Sequence, residues 1–158
     1  MRTPWLAHVA SDEGVVAAEH AAHALGIEVH AHPINYDRVP GCTYCDPEIG
    51  SIGLTEAKAR EKGFEVQIGQ FPFMPMAKAN IVGEPHGFIK IVADKQYGEI
   101  LGIHIIGPKA TELVSSSVAL LGGEFTVEEL INTMYPHPTL NEVFPEAARA
   151  VHGRALNL

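Results

Sequence analysis

The residue best placed for proton chemistry is His137, held between Pro136 and Pro138 and followed five positions later by Glu142. Proline fixes its own φ and restricts the residue before it, so the imidazole is carried on a stiff stretch of backbone. A carboxylate that reaches an imidazole orients the ring and favours its protonated form, which is the arrangement of a general base. A plainer reading uses the same residues. Thr139-Leu140-Asn141-Glu142 has the S/T-x-x-E spacing of a helix capping box, so Glu142 would serve only the Thr139 N–H. The spacing leaves both readings open.

The second candidate is the pair Cys42 and Cys45, the only two cysteines in the chain. A C-x-x-C pair is a redox dithiol or half a zinc site. The segment reads as extended, which puts residues three apart about 10 Å from each other. A disulfide needs Cα atoms about 4.4–6.8 Å apart. Zinc needs four ligands, and no second pair exists; His30 and His32 fall in a connector. Structural, redox and metal readings all remain for these thiols, and no metal site is assigned. Among the nine histidines, His8, His20, His23, His86 and His104 read as surface or half-buried groups.

These residues need a scaffold. Residues 5–25 are Ala-rich and predict a helix ending at Gly26. Residues 26–41, with Pro33 and Pro40, predict a connector, and composition changes there. Residues 42–54 read as extended, interrupted by Gly50 and Gly53. Residues 55–62 predict a short helix capped by Thr55, and Phe64, Val66 and Ile68 alternate as in a strand. "MPMAKAN" predicts a short turn or helix. "GFIKIVAD-KQYG-EILGIHIIG" predicts a hairpin with Ile89, Ile91 and Ala93 on one face, facing Leu101, Ile103 and Ile105. A helix from Pro108 to Gly123, a short helix at "TVEELINTM" and a last helix after Thr139 follow. That last helix has its apolar stripe at Leu140, Val143, Phe144, Ala147, Ala148 and Val151. The expected class is α+β: a mostly antiparallel sheet with helices packed on it, preceded by an N-terminal helix.

With 158 residues, 46% of them hydrophobic, the chain is long enough for a real core. The net charge of −8 argues against a nucleic-acid partner. No apolar run approaches the roughly 18 residues of a membrane span, and "MRTPWLAHVASDEG" lacks the pattern of a signal peptide. A cytoplasmic protein with no membrane contact is expected.

"YPHPTLNEVFPEAARA" closely resembles the C-terminal segment of the dihydrolipoyl dehydrogenase family of flavin disulfide oxidoreductases. "LAHVASDEGVVAAEH" is similar to the segment that ends that family's FAD domain, and "VPGCTYCDPEIGSIGLTE" to its V-P-x-x-x-Y-T-x-P-E-x-x-x-V-G-x-T-E stretch. "FPFMPMAKAN", "GFIKIVADKQYGEILGIHIIGPKATELV" and "TVEEL" follow in the family's order. The resemblance implies that residues 1–35 are the tail of an FAD domain and a connector, and that residues 36–158 are an interface domain forming a homodimer. It implies that His137 is the acid–base residue, that Glu142 holds its imidazole, and that the pair completes the partner subunit's active site. It implies that Leu6, Ala7 and His8 approach the flavin, and that the full enzyme oxidises dihydrolipoamide with NAD⁺ through FAD. A further implied partner is the subunit-binding domain of the dihydrolipoyl acyltransferase, for which Glu124, Glu128 and Glu129 offer acidic charge. The chain departs from the family in three ways. Tyr135-Pro136 stands where H-A usually precedes H-P-T. The family's redox cysteine pair, separated by four residues, is absent, and so is a G-x-G-x-x-G fingerprint. The chain alone is therefore expected to bind no cofactor and to be inactive. A glutathione reductase-like interface domain and a non-catalytic assembly module are the alternatives. On the family pattern, Cys42 and Cys45 become two strand residues.

Overall fold

A computed structural model describes residues 4–157. The described chain divides after Val39 into two compact units.

The first unit holds one long helix, α1 (Ala7–Ala24). It ends as the sequence implies: Gly26 has φ +81°, and Gly26 N–H returns to His23 O at 2.9 Å. The left-handed residue satisfies carbonyls that the last turn leaves open. A short 3-10 turn at Tyr36–Arg38 follows, and the Tyr36 hydroxyl donates to Glu13 Oε1 at 2.7 Å. That bond holds the Tyr36 phenol above its usual range.

The second unit is a five-stranded antiparallel sheet in the order β1-β2-β5-β4-β3. The strands are β1 (Gly41–Thr43), β2 (Glu48–Gly53), β3 (Val66–Pro72), β4 (Phe88–Asp94) and β5 (Ile100–Gly107). Short helices α2 (Glu56–Glu61) and α3 (Ala77–Ile81) lie between strands, and α4 (Ala110–Gly122), α5 (Val127–Asn132) and α6 (Val143–Val151) follow the sheet. One sheet face packs on α4 and α6. Ile52, Phe71, Ile89, Ile91, Ile103 and Ile105 meet Leu113, Val114, Leu121, Phe144 and Ala147 in a single apolar cluster. The α+β expectation and the antiparallel sheet hold.

Two expectations are corrected. Ile89 pairs with Ile105 and Ile91 with Ile103, as the alternation implies, but Ala93 pairs with Ile100. The register shifts between Val92 and Ala93, so Leu101 is an extra residue and the strand changes face there. Leu101 joins Leu54, Ala59 and Val92 in a second, smaller cluster.

The other correction concerns residues 42–54, which form a hairpin. Gly50 lies inside β2 rather than interrupting it. A Cβ at Gly50 would sit 2.4 Å from Ala110 O and 2.9 Å from Val114 Cβ, so the glycine is what lets α4 close on the strand. Cys42 lies in β1 opposite Gly50, but Cys45 lies in the turn after it, not in a strand.

Candidate functional site

His137 lies on the loop between α5 and α6, and Glu142 ends the 3-10 turn Leu140–Glu142 that runs directly into α6. The His137-Pro138 peptide bond is cis. Pro145 lies within the first turn of α6, where a missing N–H costs no helical bond. The apolar stripe read from the sequence is the buried face: Val143, Phe144, Ala147 and Ala148 are all 0% exposed.

His137 Nδ1 lies 2.8 Å from Glu142 Oε1. Glu142 Oε2 accepts the Thr139 N–H at 2.8 Å. The two contacts coexist, because one carboxylate makes them with separate oxygens. A carboxylate without its proton can only accept, so Nδ1 carries the hydrogen. Nε2 then holds a lone pair, and the ring is 69% exposed while Glu142 is 21% exposed. A contact this open contributes little to folding, at most about 1 kcal/mol. What the geometry provides is an imidazole oriented through Nδ1 on a side chain that is mostly open to solvent. Thr139 Oγ1 donates to Pro136 O at 2.8 Å and closes the loop around the histidine. Tyr135 packs on the core, and burial pushes its phenol up.

Leu6, Ala7 and His8 lie in the other unit, at the N-terminus of α1. Leu6 is the extended N-cap residue and offers no side-chain acceptor, and the first turn carries no acid. Such an end is suited to an electron-rich group. The phosphate-binding fingerprint that a dinucleotide cofactor needs is absent from the sequence.

Cys42 and Cys45 are free and exposed. Cys45 Sγ lies 3.1 Å from Pro47 O, and Cys42 Sγ is 3.9 Å from Thr111 O. Among the described residues no three His, Cys, Asp or Glu side chains could hold a metal ion. Nor is any described helix long and apolar enough to cross a membrane. Of the acids singled out for docking, Glu128 pairs with His152 at 2.9 Å and Glu129 closes a capping box on Thr126.

Two carboxylates with structural partners were missed. Glu48 Oε2 accepts from Thr111 Oγ1 at 2.6 Å and from Thr111 N at 3.0 Å, capping α4 from β2. No sequence signal links residues 63 apart. Glu146 is buried against Arg149 and the C-terminal tail. It lies off the apolar stripe of α6, and the bonds from the tail at Leu156 and Asn157 have no sequence signal.

Residues 39–148 match the model of the dimerisation domain of pyridine nucleotide-disulphide oxidoreductases. The chain is 45% identical over 154 residues to the dihydrolipoyl dehydrogenase of Rhizobium etli, covering 98% of this chain and 31% of that protein. It is 45% identical over 152 residues to that of Bacillus subtilis, covering 96% of this chain and 31% of the relative. Among solved structures, LpdA from Mycobacterium tuberculosis superposes with a TM-score of 0.79 at 30% identity, over 91% of this chain and 30% of that one. The HOCl-induced flavoprotein disulfide reductase RclA from Escherichia coli shares the fold, with a TM-score of 0.71 at 18% identity over 86% of this chain and 30% of that one. The chain thus spans about a third of the length of the relatives it matches.

Proposed function

The chain belongs to the dimerisation-domain family of pyridine nucleotide-disulphide oxidoreductases, and from that membership we propose that it is the C-terminal portion of a dihydrolipoyl dehydrogenase. Its role is to dimerise and to present His137 and Glu142 to the active site of the partner subunit. The observation that carries this reading is the 2.8 Å contact between His137 Nδ1 and Glu142 Oε1, which leaves Nε2 as the free base.

The chemical need is direct. A thiol with a pKa near 8.5 is mostly protonated at neutral pH, and the thiolate is the nucleophile. Nε2 of His137 takes the proton of a dihydrolipoamide thiol, so that the thiolate can attack the enzyme's redox disulfide. Glu142 keeps the ring in the tautomer that can accept it and stabilises the charge that results. The loop from Pro136 to Thr139 supplies position, not charge. FAD and NAD, when bound by the full-length enzyme, supply the electron transfer from dithiol to nicotinamide. Leu6, Ala7 and His8 would hold one edge of the flavin. Alone, this chain has the base but neither the disulfide nor the dinucleotide fingerprint, so it is not catalytic.

The chain forms a homodimer in this reading. The net charge of −8 suits a basic partner such as the acyltransferase's subunit-binding domain. Two measurements on the purified chain test the proposal. Sedimentation equilibrium at micromolar concentration is expected to give a dimer. Dihydrolipoamide and NAD⁺, with FAD added, are expected to give no NADH absorbance at 340 nm. A strict monomer, or turnover by the chain alone, would overturn it.

A further inference from the structure

Glu146 lies one helical turn beyond Glu142, on the first turn of α6, and its side chain is 4% exposed. A buried carboxylate is costly unless its charge is paired and its lone pairs are filled. Glu146 meets both conditions. Its Oε1 accepts from Arg149 Nη1 at 3.3 Å, and its Oε2 accepts the backbone N–H groups of Leu156 at 2.8 Å and Asn157 at 3.1 Å. Arg149 then reaches across to α5, where Nη2 donates to Ile131 O at 3.4 Å. Ile131 is the penultimate residue of α5. The chain leaves α5 there, passes through His137, and returns at Glu142 into α6.

The loop that carries His137 is thus held at one end by α5 and at the other by α6, in addition to its own bonds at Thr139. We infer that Glu146 is a positioning residue for the His137–Glu142 pair, acting through Arg149 and its bond to α5. This rests on the reading of that pair as the acid–base unit. Glu146 touches neither His137 nor any reacting group; it orients Arg149, and Arg149 fastens the far end of the loop. Apolar packing seats α5 in the same core as α6 through Val127 and Leu130, and Glu128 pairs with His152; Arg149 adds a hydrogen bond at the last turn of α5, where the chain departs toward His137. A Cβ at Gly69 of β3 would lie 2.0 Å from Ala147 O, which shows how closely α6 is seated.

The readout is the tautomer of His137 in the purified chain, from long-range proton–nitrogen NMR of the ring at pH 8. In the parent chain the Nδ1–H form is expected to dominate. Glu142→Gln is measured first. If it leaves the tautomer unchanged, the pair is not a unit and the proposed function loses its support. If it shifts the tautomer, Glu146→Gln and Arg149→Gln are each expected to lower the Nδ1–H population at least twofold while the backbone spectrum stays folded. A role in folding alone would lower the unfolding temperature and leave the tautomer as it was. Parent-like ring shifts in folded Arg149→Gln overturn the inference even if Glu146→Gln fails to fold.

Discussion

Glu142 serves His137 with one carboxylate oxygen and the Thr139 N–H with the other, both at 2.8 Å. A group shared in this way couples the local fold to the candidate chemistry. Replacing Glu142 with alanine removes the partner of a backbone donor and is expected to cost about 1 kcal/mol, the usual worth of a helix-terminal cap. Glutamine keeps the shape and one acceptor, so it should cost less in stability and still release the imidazole tautomer. Urea unfolding of both variants, set beside the His137 ring spectrum, separates the two effects. Equal loss of stability with an unchanged ring spectrum would mean that Glu142 is a cap and nothing more.

His104 gives a pH dependence of known sign. Burial holds its imidazole below the ordinary 6.5, against a hydrogen bond from Nε2 to Leu54 O at 3.1 Å. Between the lowered folded value and 6.5, the unfolded chain binds more protons than the folded one, so stability rises with pH there. The contribution is complete above pH 6.5 and is lost as pH falls through the lowered folded value. Lys90 stands opposite His104 on β4 and adds repulsion to the charged ring. Denaturant midpoints at pH 7.5 and 5.5 should differ more in the parent than in His104→Gln. An identical difference in both would remove His104 as the cause.

Glu48 is a cap supplied from outside its helix. Its bonds to the Thr111 hydroxyl and then to the Thr111 N–H hold its carboxyl below the ordinary 4.5. Charge-assisted bonds of this kind are worth about 1.5–3 kcal/mol, and Glu48 is only partly buried, so the low end applies. Glu48→Ala should lower stability by about 1.5 kcal/mol, and Glu48→Gln by less. The contribution is present above pH 4.5 and is lost as pH falls through the lowered folded value. Stability that is indifferent to Glu48→Ala at pH 7 would contradict this account.

What the sequence made legible, and what it did not, follows from range. The β4–β5 hairpin, the capping box at Thr139 and the α6 stripe all rest on contacts between near neighbours, and each was read from a local pattern. The β5 bulge was not, because nothing in "EILGIHIIG" says which residue the partner strand will skip. Gly50 was misjudged for a related reason: its value depends on α4, whose contacting residues Ala110 and Val114 lie far along the chain. Glu48 acts across the fold and Glu146 on the tail that follows its own helix, and composition alone gives no sign of their partners. The helix after Pro108 also begins later than expected, at Ala110, because Lys109 takes the left-handed conformation with φ 55°.

Close seating of α6 on β3 predicts an asymmetric response to small side chains. At Gly69 a Cβ would collide with Ala147 O at 2.0 Å and Val151 Cγ2 at 2.6 Å. The obstacle includes backbone, so the helix must lift. Gly69→Ala is expected to cost about 1–3 kcal/mol, the range for overpacking. Gly122, the last residue of α4, meets nothing within 4 Å. Gly122→Ala should stabilise by about 0.4–1 kcal/mol by restricting the unfolded chain. Thermal melts of the two variants should move in opposite directions, and a shared direction would show that the close approach is relieved elsewhere.

The exposure of Cys42 and Cys45 makes their state a direct measurement. Both are free thiols open to solvent, and Cys45 lies in the turn rather than on the strand. Neither belongs to a cluster of three or more ligand-type side chains among the described residues, so tight metal binding at the pair has no third or fourth donor to complete it. Ellman's reagent under non-reducing, oxygen-free conditions is expected to titrate two thiols per folded chain, with no zinc found by elemental analysis. Silent thiols with one equivalent of zinc would restore the metal reading. Silent thiols without zinc that appear only after reduction would instead require the β1–β2 turn to bring the two sulfurs together.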